Sequence, residues 1–155
     1  MIDLESGERV LISDELWGSY AFDALDWLPD GRLAYGVMHQ GEQGASPQLW
    51  TVQADGSDLT LLWEGKLERF GSVTWIPGTG LILFSVDPGG YADENLSYRV
   101  ISMEGATDKE IMVGGNPASI SISHDGRQIL RYVTRFSYDP LRLVGEEFVL
   151  TTLDY

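Results

Sequence analysis

The residues with most capacity for chemistry lie together at 87 to 95, Asp87-Pro88-Gly89-Gly90-Tyr91-Ala92-Asp93-Glu94-Asn95. Asp87, Asp93, Glu94 and Asn95 supply hard oxygens on a flexible backbone, a set that suits Ca2+. The spacing departs from the EF-hand loop, which places acidic or amide residues at alternate positions before a glycine. A solvated acidic loop explains the same residues, so no cofactor is expected and calcium stays an alternative. A second grouping is basic: Arg127, Arg131, Arg135 and Arg142, four of the ten Lys and Arg residues. It suits an acidic ligand through guanidinium forks, or ordinary ion pairing with acidic neighbours, which surface charges usually show. The two histidines, His39 and His124, fall in different turns and are not expected to cooperate.

Nucleophile and phosphate motifs are absent. There is no Gly-x-Ser-x-Gly elbow, no His-Glu-x-x-His and no Gly-x-x-x-x-Gly-Lys-[Ser/Thr]. Gly78-Thr79-Gly80 fails the dinucleotide fingerprint because Leu83 stands where its third glycine belongs. Carboxylates are plentiful, but no spacing singles out a hydrolytic pair. Asn95-Leu96-Ser97 fits a glycosylation acceptor, a pattern short enough to recur by chance. The expectation is therefore a protein that is not an enzyme.

Composition narrows the partners. The chain has 155 residues, 43% of them apolar, enough for the core of one domain. A net charge of −14, spread along the chain, repels phosphate backbones, so nucleic acid is not an expected partner. The absence of cysteine excludes disulfides and thiolate metal sites. The start, Met1-Ile2-Asp3-Leu4-Glu5-Ser6-Gly7-Glu8, lacks the apolar core of a signal peptide, and no apolar run approaches a membrane span.

The elements that must position these residues repeat. Trp27-Leu28-Pro29-Asp30-Gly31 returns as Trp75-Ile76-Pro77-Gly78-Thr79-Gly80 and as Ile122-Ser123-His124-Asp125-Gly126, at intervals of 48 and 47. Trp50-Thr51-Val52 answers to Tyr98-Arg99-Val100, and Gly7, Gly56 and Gly105 recur every 49. Around these turns, apolar and polar residues alternate with period two, as in Leu33, Tyr35 and Val37 against Arg32, Ala34 and Gly36. A period in the forties with four strands per unit is the mark of β-propeller blades. The expected fold is all-β, with four-stranded antiparallel sheets, almost no helix, and an incomplete ring. The units are 1–13 (the end of a preceding blade), 20–64, 70–114 and 117–155, the last lacking its fourth strand. Trp27 and Trp75 are expected to be buried between blades.

Trp-x-Pro-Asp-Gly followed by an apolar strand and then Leu49-Trp50-Thr51-Val52-Gln53-Ala54-Asp55-Gly56 resembles the repeat of TolB-type β-propellers. The second unit departs from that pattern in its turn, and the third carries His124 in place of proline. The resemblance implies architecture rather than activity: a non-catalytic scaffold for protein or ligand binding, or the accessory propeller of a larger hydrolase or peptidase. It also implies an extracytoplasmic setting, periplasmic or secreted.

In each unit the connection between second and third strands reads as long: His39 to Pro47, Asp87 to Leu96, and Arg135 to Glu146. Long loops on a rigid scaffold are the usual seat of binding. His39, Asp87, Tyr91, Asp93, Asn95, Arg135 and Tyr138 are accordingly the candidate binding residues. The partner is expected to be a protein or small molecule, with no membrane insertion. Open blade edges make a homodimer a further expectation.

Overall fold

The computed structural model describes residues 25–41, 44–66, 69–87, 96–113, 116–138 and 141–154. The expected end of a preceding blade at 1–13 lies outside them. Eleven strands make three antiparallel sheets, and no helix occurs among the described residues. The first sheet is β1 (Leu25–Trp27), β2 (Leu33–Gly41), β3 (Gly44–Val52) and β4 (Thr60–Glu64) in sequence order. The second is β5 (Arg69–Ile76), β6 (Leu81–Asp87), β7 (Ser97–Ser102) and β8 (Asp108–Val113). The third joins β9 (Asn116–Ile122), β10 (Gln128–Tyr138) and β11 (Leu141–Thr152), with β10 in the middle.

The repeated turns share one construction. Gly31 N–H donates to Leu28 O at 3.0 Å and Gly126 N–H donates to Ser123 O at 2.9 Å. Both glycines adopt positive φ, +87° and +71°, which a side chain would resist. Asp30 and Asp125 each accept the backbone N–H two residues on, at 3.1 Å. Local chemistry alone reverses the chain here.

Two long connections expected from the sequence are strands instead. β2 and β3 stay paired to Gly41↔Gly44, and β10 and β11 to Tyr138↔Leu141. Residues 39–47 and 135–146 therefore lie mostly in tight hairpins rather than binding loops. Their polar residues fit a strand because the ladder pairs backbone groups whatever the side chains are. In β11 a register shift beside Gly145 absorbs one extra residue.

The sheets stack face to face over two apolar layers. Ala34 and Leu49 of the first sheet meet Val73, Ile82, Phe84 and Val86 of the second. Leu83, Tyr98 and Val100 on the second sheet's other face meet Ile129 and Leu153 of the third. Burying each such side chain fully contributes about 1.5–3 kcal/mol by removing its apolar surface from water. Trp63, Phe70 and Phe84 cluster in the first layer, with ring centroids 5.0–6.3 Å apart. Gly36 allows this approach, since a Cβ there would overlap the Phe70 ring.

The two tryptophans differ from expectation. Trp75 is half-buried in the first layer, but Trp27 is 49% exposed. Trp75 has the first sheet to pack against, whereas Trp27 lies at the end of β1 on the first sheet's other face, whose buried residues are Tyr35, Val37 and Val52 on β2 and β3.

Candidate functional site

Strand alternation puts Ser46, Gln48 and Trp50 of β3 on one face, and the pairing His39↔Ser46 adds His39 from β2. Trp50 Nε1 donates to Gln48 Oε1 at 3.0 Å, and Gln48 Nε2 donates to Glu64 Oε1 at 2.9 Å. The Ser46 hydroxyl donates to the same Glu64 oxygen at 3.0 Å. Hydrogen bonds from Gln48 and then Ser46 hold the Glu64 carboxyl below its usual range, against a small opposing effect of burial, and His39 adds its charge. Ser46 thus donates its hydroxyl hydrogen to an ionised carboxylate that Gln48 also engages. A carboxyl held ionised is a poor general acid near neutral pH. The cluster is a hydrogen-bonded polar network on one face of the first sheet. Of its members the sequence singled out only His39, although the i, i+2 spacing of Ser46, Gln48 and Trp50 carries the signal.

The other candidates are not gathered into one pocket. Asp87 ends β6, paired with Arg69, and is half-buried. Arg135 and Tyr138 lie in β10, opposite Gly145 and Leu141. His39, Asp87, Arg135 and Tyr138 therefore share only the last part of the second strand in three successive sheets. Tyr91, Asp93 and Asn95 lie outside the described residues. Among the described residues no three His, Asp or Glu side chains form a group that could hold a metal ion. The arginine grouping is partly internal, since the Arg131 guanidinium sits over the Tyr98 ring, 5.5 Å from its centroid.

A second surface was not legible in composition. Cross-strand pairs place Ala34 with Thr51 and Gly36 with Leu49 in the first sheet. The matching pairs are Leu83 with Val100 and Ser85 with Tyr98 in the second. In the third they are Leu130 with Leu150 and Tyr132 with Phe148. Leu49, Thr51, Leu83, Tyr98 and Val100 are all buried. Leu130, Phe148 and Leu150 are 41%, 73% and 61% exposed. The same positions are core in two sheets and open surface in the third. Tyr132 stacks obliquely on Phe148, centroids 5.2 Å apart, so the patch is ordered by its own aromatic pair.

No protein-family model matches the chain, and no curated protein matches it. Solved structures do. An oligogalacturonate lyase in complex with manganese superposes with a TM-score of 0.57 at 14% identity, over 84% of this chain and 34% of that one. An oligogalacturonate lyase from Vibrio parahaemolyticus gives 0.45 at 14% identity, over 84% of this chain and 51% of that one. These neighbours are β-propeller proteins. The three sheets are propeller blades. The chain spans 34% of the length of the first lyase, and the likeness concerns the fold. In blade terms, Ala34, Leu83 and Leu130 lie on trailing faces, toward the next blade, and Trp27 and Trp75 on leading faces.

Proposed function

We propose that this chain is a non-catalytic propeller scaffold of the TolB type that binds protein through its blade surfaces, within a larger propeller assembly. The supporting observation is the apolar trailing face of the third blade, exposed at Leu130, Phe148 and Leu150. Contiguous exposed apolar surface on a folded domain marks interaction sites. The polar cluster around Glu64 supplies a second, hydrogen-bonding surface suited to specificity rather than turnover. The alternative is the accessory propeller of a larger hydrolase or peptidase, with which a structural neighbour that is itself an enzyme is compatible.

Nile red binding and a turnover assay test the proposal together. The chain is expected to enhance the dye's fluorescence, and Phe148→Glu with Leu150→Glu to abolish the enhancement while the far-UV circular dichroism is retained. It is expected to leave oligogalacturonate uncleaved with or without Mn2+. Turnover by the purified chain, or a dye signal indifferent to the double variant, would overturn the reading.

A further inference from the structure

Three turns of this chain set an aspartate before a glycine: Asp30-Gly31, Asp55-Gly56 and Asp125-Gly126. Such a bond can rearrange without an enzyme, because glycine has no side chain to keep its nitrogen away from the aspartate carboxyl. The nitrogen attacks the carboxyl carbon and a five-membered succinimide closes. One carboxyl oxygen leaves as water, taking the amide proton and a proton from solvent. Water then opens the ring. Attack at the former side-chain carbonyl restores aspartate, and attack at the main-chain carbonyl leaves isoaspartate, with the backbone running through the side chain. The net mass is unchanged, and no oxidant or reductant takes part.

Ring closure asks two things of a folded turn: a carboxyl oxygen free to leave, and a glycine free to move toward the carboxyl. All three turns share one resistance, since each glycine N–H donates to the carbonyl three residues back at 2.9–3.0 Å. At Asp30 the carboxyl is held at both oxygens by Arg32, Oδ1 by its backbone N–H at 3.1 Å and Oδ2 by its Nε at 2.7 Å. Pro29 stiffens the chain just before it. At Asp125 the glycine is held instead. Gly126 is buried against Pro77 O, Ile76 and Thr79 of the second blade, with no room even for a methyl. At Asp55 both restraints are missing. The Ser57 N–H and hydroxyl both donate to Oδ1, at 2.9 and 2.6 Å, and no hydrogen bond among the described residues reaches Oδ2. Gly56 is half-buried between exposed neighbours. Asp58 is the one non-glycine residue at positive φ among the described residues, +53°, a strain that this turn alone carries.

We propose that Asp55 is the modification site at which the folded chain isomerises, closing on Gly56 and reopening as isoaspartate, while Arg32 preserves Asp30 and the Pro77 contact preserves Asp125. This chemistry is independent of the scaffold role proposed above. The product adds one main-chain carbon between β3 and β4, beyond their last ladder pair Thr51↔Thr60, so the blade keeps its pairing.

The full chain, incubated for weeks at 37 °C and pH 7.4 and then digested, is mapped by electron-transfer fragmentation, which locates isoaspartate at each position. In buffer, isoaspartate is expected at Asp55 about fivefold faster than at Asp30 or Asp125. In urea above the unfolding midpoint the three rates are expected to converge within about twofold, since each aspartate precedes glycine and the folded restraints are gone. Arg32→Ala is expected to raise the Asp30 rate to that of Asp55. Asp55→Asn and Asp125→Asn repeat the comparison without an ionised carboxyl, closing the same ring with loss of ammonia. The mass gain of deamidation is expected about fivefold faster in the first than in the second. Equal rates at the three positions in buffer, or a faster Asp30 or Asp125, would overturn the assignment. So would isoaspartate absent from Asp55 in buffer while the urea sample accumulates it. An Asp30 rate unmoved by Arg32→Ala, in a variant that keeps its cooperative melt, would overturn the part given to Arg32. Should that variant lose the melt, the two asparagine substitutions decide the proposal, and equal deamidation would overturn it.

Discussion

Asp26 joins two blades through a single carboxylate oxygen. Its Oδ2 accepts the Thr74 hydroxyl at 3.0 Å and the Trp75 backbone N–H at 2.8 Å, from the strand that opens the next blade. Hydrogen bonds to a charged group contribute about 1.5–3 kcal/mol, and loss of the acceptor leaves a partly buried N–H unpaired. Asp26→Ala is expected to lower stability by about 2–3 kcal/mol and Asp26→Asn by less, read as the shift in a urea midpoint at constant m-value. At Tyr98 the controlling term is burial, which pushes the phenol well above its usual 10.0, while the positive charge of Arg131 over the ring pulls it partly back. A folded-state value raised above the unfolded one contributes stability that is fully present below pH 10 and is lost as pH rises past it. Stability is therefore expected to fall above about pH 10, as the unfolded chain titrates first. Tyr98→Phe should flatten that alkaline limb relative to the wild type, measured by urea melts from pH 8 to pH 11. An unchanged limb would show that Tyr98 does not control it.

At the scale of the element, β2 and β5 approach each other because Gly36 has no side chain. Phe70 occupies the space a methyl would take, and its ring is held by Trp63 and Phe84. Overpacking of a tight layer typically costs about 1–3 kcal/mol. Gly36→Ala is expected to fall in that range, and Gly36→Ala with Phe70→Leu to recover part of it, by chemical denaturation. The strands themselves were legible: the alternation of Leu33, Tyr35 and Val37 falls within β2. Hairpin length was not. Residues 39–41 and 134–138 carry polar and charged side chains that read as loop, yet pairing across the hairpin satisfies their backbones whatever the side chains are. A cross-strand partner several residues away does not show in local composition.

For the whole molecule, Trp27 and Trp75 form a built-in control, with the same residue at the same blade position, one 49% exposed and one half-buried. Truncation of a buried tryptophan costs about 3–5 kcal/mol, and the half-buried Trp75 is expected near the lower end. Trp27→Ala is expected to cost less than about 1 kcal/mol in a monomer, since surface changes are usually that small. Urea melts of the two variants should show this difference in the midpoint at constant m-value, and equal costs would overturn the assignment of Trp75 to the layer between the sheets.

By itself the sequence determined the blade. Pro29-Asp30-Gly31 and Ser123-His124-Asp125-Gly126 close their turns through bonds within a few residues, and alternation assigns each side chain to a face. Those interactions are local, so local residue order contains them. Only the tertiary structure decided which faces are covered. Leu49, Tyr98 and Phe148 are equivalent in register and alike in hydrophobicity, yet two are core and one is surface. The Ser46–Gln48–Glu64 network likewise depends on β4 returning beside β3, at a separation of 16 and 18 residues. Burial depends on what stands opposite a side chain in space, and that neighbour is set by how whole blades stack.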